Sequence, residues 1–359
     1  MTLALPSTRE EAWRWSDLSA LSTLAEAPHA ERPLAKLPWL DLGGPRLLFV
    51  DGLFDASQSA PGEMLVGDVA ATSTHPLGSL ATAKGWTLAL GRDAASSGPV
   101  EIVHVATGGA NHVAGRIALD EDAQASIVET FIGDGWSNRL TEITLAPTAR
   151  LMRSVRLLQS SGFVSLRDEA TVGQGASLVS IFLGAGGADS RIDGAVALTG
   201  DAGFAEIGGT LLCRGDQRQE AAIVLRHDAE NGVSRQTWRA VAADKSAASL
   251  AARVEVARGA QKTDGEQSLR GLLLQRTATV NLKPELEIFA DDVKCAHGAT
   301  VGELDKRALF YLESRGIPPA QAEALLTRAF VADALERIGE DAVREAFTAD
   351  ADAWLEAAL

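Results

Sequence analysis

The chain has 359 residues, with 48 acidic against 33 basic side chains and a net charge of −15. A surface of that sign repels phosphate backbones and anionic lipid heads, which argues against nucleic acid and membranes as general partners. The length suits two or three domains, or one large β domain with appendages, and a core that needs no disulfide or structural metal.

The two cysteines, Cys213 and Cys295, lie far apart with no CxxC, which fits a reducing compartment rather than a disulfide scaffold. Met1-Thr2-Leu3-Ala4-Leu5-Pro6 runs at once into Arg9, Glu10 and Glu11, so no signal-peptide core is expected. The longest weakly polar stretch, Ser177 to Ala188, is too short to span a bilayer and carries Gly184, Gly186 and Gly187. The expectation is a cytoplasmic protein.

In chain order, Ser7-Thr8-Arg9-Glu10 has the form of a capping box, and Ala12, Trp13 and Leu18 recur at helical spacing up to the Pro28 region. After Pro38, Leu47-Leu48-Phe49-Val50-Asp51-Gly52 predicts a strand entering a turn. From about Gly98 to Leu282 the chain is mostly short β-prone pieces punctuated by glycine. Val100–Ala106 is expected to end at Gly108-Gly109, and Ala125–Ile132 at Gly133-Asp134-Gly135. Leu178–Leu183 should end at Gly184, and Ala195–Thr199 at Gly200-Asp201. Even spacing of short strands indicates a sandwich, a barrel or a parallel β-helix, and the pattern alone leaves all three open.

The last segment is helical. Leu304–Leu312 carries apolar residues at helical spacing and stops at Arg315-Gly316, a cationic last turn before a C′ glycine. Pro318-Pro319 suits the start of a second helix with Ala322, Leu325, Leu326, Ala329 and Phe330 as its apolar stripe. A weaker third helix is expected over roughly 341–347, leaving Trp354 and Leu355 in a short acidic tail. The regions are 1–90, N-terminal helical or mixed; 91–283, β core; and 284–359, C-terminal helical.

The common catalytic signatures are missing. There is no G-x-x-x-x-G-K-[ST], G-x-S-x-G, H-E-x-x-H or EF-hand loop, and Gly173-Gln174-Gly175 and Gly184-Ala185-Gly186 lack the third glycine of a dinucleotide fingerprint. That leans toward scaffold or binding work, not enzymatic turnover. His29, His75, His104 and His112 are treated as structural background.

Cys295 and His297 differ, because two metal-capable side chains sit two residues apart. Extended backbone would put Asp291, Val293, Cys295 and His297 on one face, and Gly298 lets the chain turn afterwards. A thiolate and an imidazole suit iron or zinc. The bland alternative makes Cys295 a small buried hydrophobe and His297 a cap on the following helix. Structural zinc and common iron–sulfur clusters take four protein ligands, whereas this segment offers two or three and Cys213 is remote. A metal site here would be incomplete, labile or completed by another subunit.

Residues 257–330 resemble the C-terminal half of the SufB/SufD family, in its SufD form. The resemblance rests on Ala260-Gln261-Lys262-Thr263-Asp264, Leu272-Leu273-Leu274, Lys283-Pro284-Glu285-Leu286-Glu287-Ile288, and Asp291-Asp292-Val293-Lys294-Cys295 with His297-Gly298-Ala299-Thr300. Leu309-Phe310-Tyr311-Leu312 and Arg315-Gly316-Ile317 complete it. Weaker matches include Glu11–Trp15, Gly135–Asn138, Ser190-Arg191, and His227 with Ser234-Arg235-Gln236. SufB-like chains carry T-Q-C-D-S where this sequence has Leu272–Arg276, and a histidine–glutamate pair near Cys295–His297. One departure is Leu250-Ala251-Ala252, where family members often show Phe-x-Gly.

The resemblance implies a right-handed parallel β-helix between helical N- and C-terminal regions, serving as a scaffold subunit in SUF iron–sulfur cluster assembly and iron acquisition. It implies pairing with a SufB-like subunit through the β-helix. Docking of a SufC-like ATPase would use helices 303–338, including Leu309, Phe310, Tyr311, Leu312, Arg315 and Gly316. His297, with Cys295 beside it, would contribute to a transient iron–sulfur cluster at the subunit interface. The isolated chain is expected to hold no tightly bound cofactor, to leave ATP to its partner, and to be able to form a homodimer. Two rival readings are a carbohydrate-active β-helix enzyme using Asp189 and Asp193, and an autonomous metal protein at Cys295 and His297.

Overall fold

The structure is a computed structural model that describes residues 4–30 and 37–358; Met1–Leu3 of the opening stretch lie outside it. The chain winds as a parallel β-helix of two facing sheets. Short strands at the N-terminal end are β1 (Arg46–Val50), β2 (Leu53–Phe54), β3 (Leu65–Asp68) and β4 (Lys84–Leu90). Then come β5 (Val100–Leu119), β6 (Gln124–Leu145), β7 (Arg150–Leu157), β8 (Ser161–Val172), β9 (Ser177–Gly184) and β10 (Asp189–Leu198). The coil continues through β11 (Phe204–Cys213), β12 (Arg218–His227), β13 (Val233–Ala242) and β14 (Ala247–Val256). It ends in β15 (Asp264–Leu273), β16 (Thr279–Ile288) and β17 (Lys294–Glu303).

The first sheet stacks β1, the front halves of β5 and β6, then β7, β9, β11, β13, β15 and β17, all parallel. The second stacks β4, the rear halves of β5 and β6, then β8, β10, β12, β14 and β16. Among the described residues, antiparallel pairing is limited to β1 with β2, β3 with β4, and a single bridge between Arg46 and Ala60.

β5 and β6 do not end at their glycines, as the strand-then-turn pattern predicts. Each crosses the corner and supplies both sheets, so that the front of β6 pairs with β7 and its rear with β8. Gly133 shows why the residue type matters. Its φ is +92°, and a Cβ there would meet the Ala106 carbonyl oxygen at 1.9 Å. Glycine bends the ribbon here without stopping the ladder.

Alternate residues point inward and fill the space between the sheets. Ile102, Ile127, Val155, Phe182, Trp238, Leu250 and Leu269 belong to this continuous core, each stabilising the fold by roughly 1.5–3 kcal/mol through burial. The β-helix runs beyond residue 283, since β16 straddles it and β17 follows.

The N-terminal helix is shorter than its periodicity suggests: a single 3-10 turn at Glu11–Trp13, then α1 (Leu21–Glu26). Of the capping box, the Ser7 amide donates to Glu10 Oε1 at 3.0 Å, while the Glu10 amide finds the Ser7 carbonyl. Arg191 engages the end of this turn. Its Nη2 donates to the Ala12 carbonyl at 2.9 Å and its Nη1 to Ser16 Oγ at 2.9 Å. The guanidinium takes the carbonyl that a continuing helix would have used.

At the other end lie α2 (Lys306–Ser314), α3 (Pro319–Leu335) and α4 (Asp341–Ala358). Asp305 caps α2 by accepting from the Arg307 amide at 2.8 Å, and Gly316, at φ +86°, takes the expected left-handed C′ position. α4 is far longer than the weak helix expected over 341–347. Val343, Phe347, Ala351, Trp354 and Leu355 form one buried stripe, which removes Trp354 and Leu355 from any acidic tail. α3 buries Ala322, Val331, Ala334 and Leu335, whereas Leu325 is exposed. These two helices pack on the outer face of the first sheet, against Val128, Ile181, Leu212 and Val241. Arg156–Asp350 at 2.7 Å and Arg337–Glu206 at 2.8 Å add ion pairs to that seam. No helix among the described residues is long and apolar enough to cross a membrane.

Candidate functional site

β17 is the last turn of the first sheet. It pairs with β15, as β16 pairs with β14, and among the described residues no strand pairs with the far edge of either. An unpaired edge leaves a row of backbone donors and acceptors facing outward. The apolar residues Phe289 and Val301 stand exposed beside it, at 59% and 45%.

Cys295 and His297 both lie within β17, so His297 does not cap the following helix; that role belongs to Asp305. Cys295 stands opposite Gly265, and His297 opposite the buried Gln267. The pleat therefore puts both on the side that faces the hollow of the coil, as period-two alternation predicts. Cys295 packs against the end of the core, and burial pushes its thiol above the ordinary range. His297 stays exposed because no further turn covers it. Among the described residues, no group of three or more His, Cys, Asp or Glu side chains is placed to hold a metal ion. Cys213 is sealed in the core on β11, where burial drives its thiol strongly upward. The chain thus offers an imidazole and a thiol at an open edge, short of a full coordination sphere.

The predicted docking positions fall on α2 (Leu309–Leu312) and on the cap that ends it (Arg315 and Gly316). Phe310 and Tyr311 are exposed at 72% and 57%, and no residue of this helix is buried. The Arg315 guanidinium lies 5.2 Å from the Tyr311 ring centroid. Asp189 and Asp193 are not a free carboxylate pair. Asp189 accepts from the Arg218 amide at 2.7 Å. Asp193 takes both Nε and Nη2 of Arg191, at 2.7 and 2.8 Å, and lies 3.3 Å from His75 Nε2. Burial works against ionisation of Asp193, yet His75 and Arg191 together hold its carboxyl below the usual range.

A surface recess of about 430 Å³ lies between these side chains and the N-terminal segment, lined by Trp13, Trp15, Arg253 and Lys283. Its cations are already matched: Arg253 by Glu255 and Glu287, and Lys283 by Glu11 and Glu285. The recess is best read as the seam where the N-terminal segment is fastened, with the Arg191 guanidinium 3.8 Å from the Trp13 ring centroid.

Sequence reasoning missed an interior charge cluster. Glu129, Arg139, Arg153 and Asp168 lie inside the coil with His104. Alternation could have found Glu129: in Ile127-Val128-Glu129-Thr130-Phe131 it shares the face of two core residues.

A family model described as "SUF system FeS cluster assembly, SufBD core domain" matches residues 103–330. The chain belongs to the SufBD family. Within it, the chain is 28% identical to the iron–sulfur cluster assembly protein SufD of Escherichia coli, over 95% of this chain and 87% of that protein. It is 32% identical to protein ABCI7, chloroplastic, of Arabidopsis thaliana, across 64% of this chain and half of that one. A SufBD family protein of Synechocystis is 38% identical over a third of the chain. The SufBD match takes in the coil from β5 onward, the Cys295–His297 turn, α2 and most of α3. It leaves out the fastened N-terminal segment and α4.

Proposed function

We propose that this SufD-like chain is a non-catalytic scaffold subunit of a SUF assembly complex. The open end of its coil meets a SufB-like subunit, and a nascent iron–sulfur cluster forms there as cargo. The observation that carries the reading is the placement of Cys295 and His297 on β17, at an edge with unpaired backbone groups and exposed Phe289 and Val301. Two donors cannot complete a cluster site, so a second chain would supply the rest. Once a partner strand covers β17, water leaves and donors from both chains face the same hollow. The same edge would let the isolated chain form a homodimer.

The exposed Phe310–Tyr311 face of α2 is the proposed seat for a SufC-like ATPase, which would bind the nucleotide. The reducing cytoplasm is the proposed setting, as a cysteine held ready for a labile cluster requires. A carbohydrate-active role is disfavoured by the engagement of Asp193 with Arg191 and His75. The test is native mass measurement of the chain alone and mixed with SufB- and SufC-like subunits under reducing conditions. Complexes with both are expected; a chain that binds neither overturns the proposal. Tight stoichiometric iron or zinc in the chain alone would instead favour an autonomous metal protein.

A further inference from the structure

Gln236 on β13 and Gln267 on β15 stand in register one turn apart, and both are buried. A buried primary amide carries two donors and an acceptor that need partners. Each of these side chains crosses the hollow to the opposite sheet. Gln236 Nε2 donates to the Arg253 carbonyl at 3.2 Å, and Gln267 Nε2 donates to the Glu285 carbonyl at 3.3 Å. A carbonyl can only accept, so the nitrogen is committed to that end and the oxygen is the free end of each amide. In both residues Oε1 is buried and unpartnered. The next position along this row, directly opposite Gln267, is His297.

We infer that Gln267 is a positioning residue for His297. Its Oε1 accepts from one imidazole N–H, which leaves the other ring nitrogen unprotonated toward the open edge. The register and the orphaned oxygen set the two side chains against each other; the hydrogen bond between them is the inference, and its bearing on iron rests on the function proposed above. An imidazole binds metal through an unprotonated nitrogen, and an acceptor on its other nitrogen sets tautomer and ring orientation. Gln267 would then prepare the histidine before any partner arrives. The competing donor to that oxygen is the second N–H of Gln236, one turn deeper.

The experiment is long-range proton–nitrogen NMR of the histidine rings in the labelled full chain, at a fixed pH where His297 is neutral. His297→Ala assigns the signal. A single dominant His297 tautomer is expected, favoured about fivefold or more, as one hydrogen bond can supply. Gln267→Met keeps the length and loses the oxygen, and should return the mixture of an unconstrained imidazole; Gln267→Glu keeps an acceptor and should restore the bias. A mixture in the unmodified chain overturns the inference even if neither variant folds. So does a bias that Gln267→Met leaves unchanged. Cluster assembly lost in His297→Ala alongside a mixture would sink this inference and leave the proposed function standing. A Gln267-dependent single tautomer with normal cluster assembly in His297→Ala would do the reverse.

Discussion

His104 Nε2 lies 3.2 Å from Glu129 Oε2, with both side chains sealed inside the coil. Arg139 Nε donates to the other ring nitrogen, Nδ1, at 3.2 Å. A guanidinium cannot accept, so His104 is the neutral tautomer with its proton on Nε2, donated to the carboxylate. Protonating Nδ1 would turn a hydrogen bond into a repulsion between cations. Burial and Arg139 accordingly lower the His104 pKa from 6.5 to about 4.

Acid should therefore loosen this fold well above the usual carboxylate range. His112 and His227 are likewise lowered to about 4, first by burial. Between pH 6.5 and 4 the unfolded chain binds protons at these positions that the folded chain refuses, so stability rises with pH. It is fully present above 6.5 and lost as pH falls through 4. Each imidazole contributes a slope of ~1.4 kcal/mol per pH unit in that window. Urea unfolding across pH 4–7 measures it, and His104→Gln should flatten the slope by about one proton; an unchanged slope would rule out His104 as a source.

Arg153 is the hinge of the interior cluster, with Nε on Glu129 Oε1 at 2.8 Å and Nη1 on Asp168. Arg153→Met should strand two buried carboxylates and cost about 3–5 kcal/mol. Adding Glu129→Gln and Asp168→Asn removes the stranded charges, and chemical denaturation should then show part of the loss recovered. If the triple variant is no more stable than the single one, the charges are not what makes the single variant weak.

Trp13 lies beneath the Arg191 guanidinium and is almost wholly buried. Trp13→Ala should cost roughly 3–5 kcal/mol locally. The segment before α1 should detach while the coil persists. Trypsin would then cut at Arg14 at a dilution where the unmodified chain survives, with far-UV circular dichroism nearly unchanged.

Phe310→Ser with Tyr311→Ser should leave thermal unfolding almost untouched, within about 0.5 kcal/mol, because neither ring is buried. The same pair should abolish retention of a SufC-like subunit in a pull-down. Full retention would move the docking surface elsewhere.

His297→Ala should leave the isolated chain folded, since the imidazole is exposed and on the last turn. Cluster assembly by the complete complex should fall severely. Normal cluster maturation in cells would remove His297 from the list of donors.

The β pattern was readable in short apolar runs such as Leu178–Leu183, which β9 matches closely. The corners were not, because Gly133 and Gly135 look like terminators in a one-dimensional reading and act as bends only when a neighbouring turn supplies the ladder. That Cys295 and His297 share one face was legible through alternation, whereas a role for the pair came only from the family resemblance. Gln267 was not, since a glutamine in a strand carries no sign of which face it takes until register sets it opposite His297. The contact at the N-terminal turn was hidden for a similar reason: Arg191, far away in sequence, takes its backbone carbonyl.

Each inner turn of the coil is held by a neighbour above and below, whereas among the described residues β16 and β17 are held from one side. In a structure whose stability is nearly a sum of nearest-neighbour terms, the last turn frays first. A strand added to that edge would lend it the missing neighbour, so the order of the last turn would follow partner concentration by mass action. A chain short of partners would keep Cys295 and His297 on a fraying end, and assembly would itself tighten the turn that carries them.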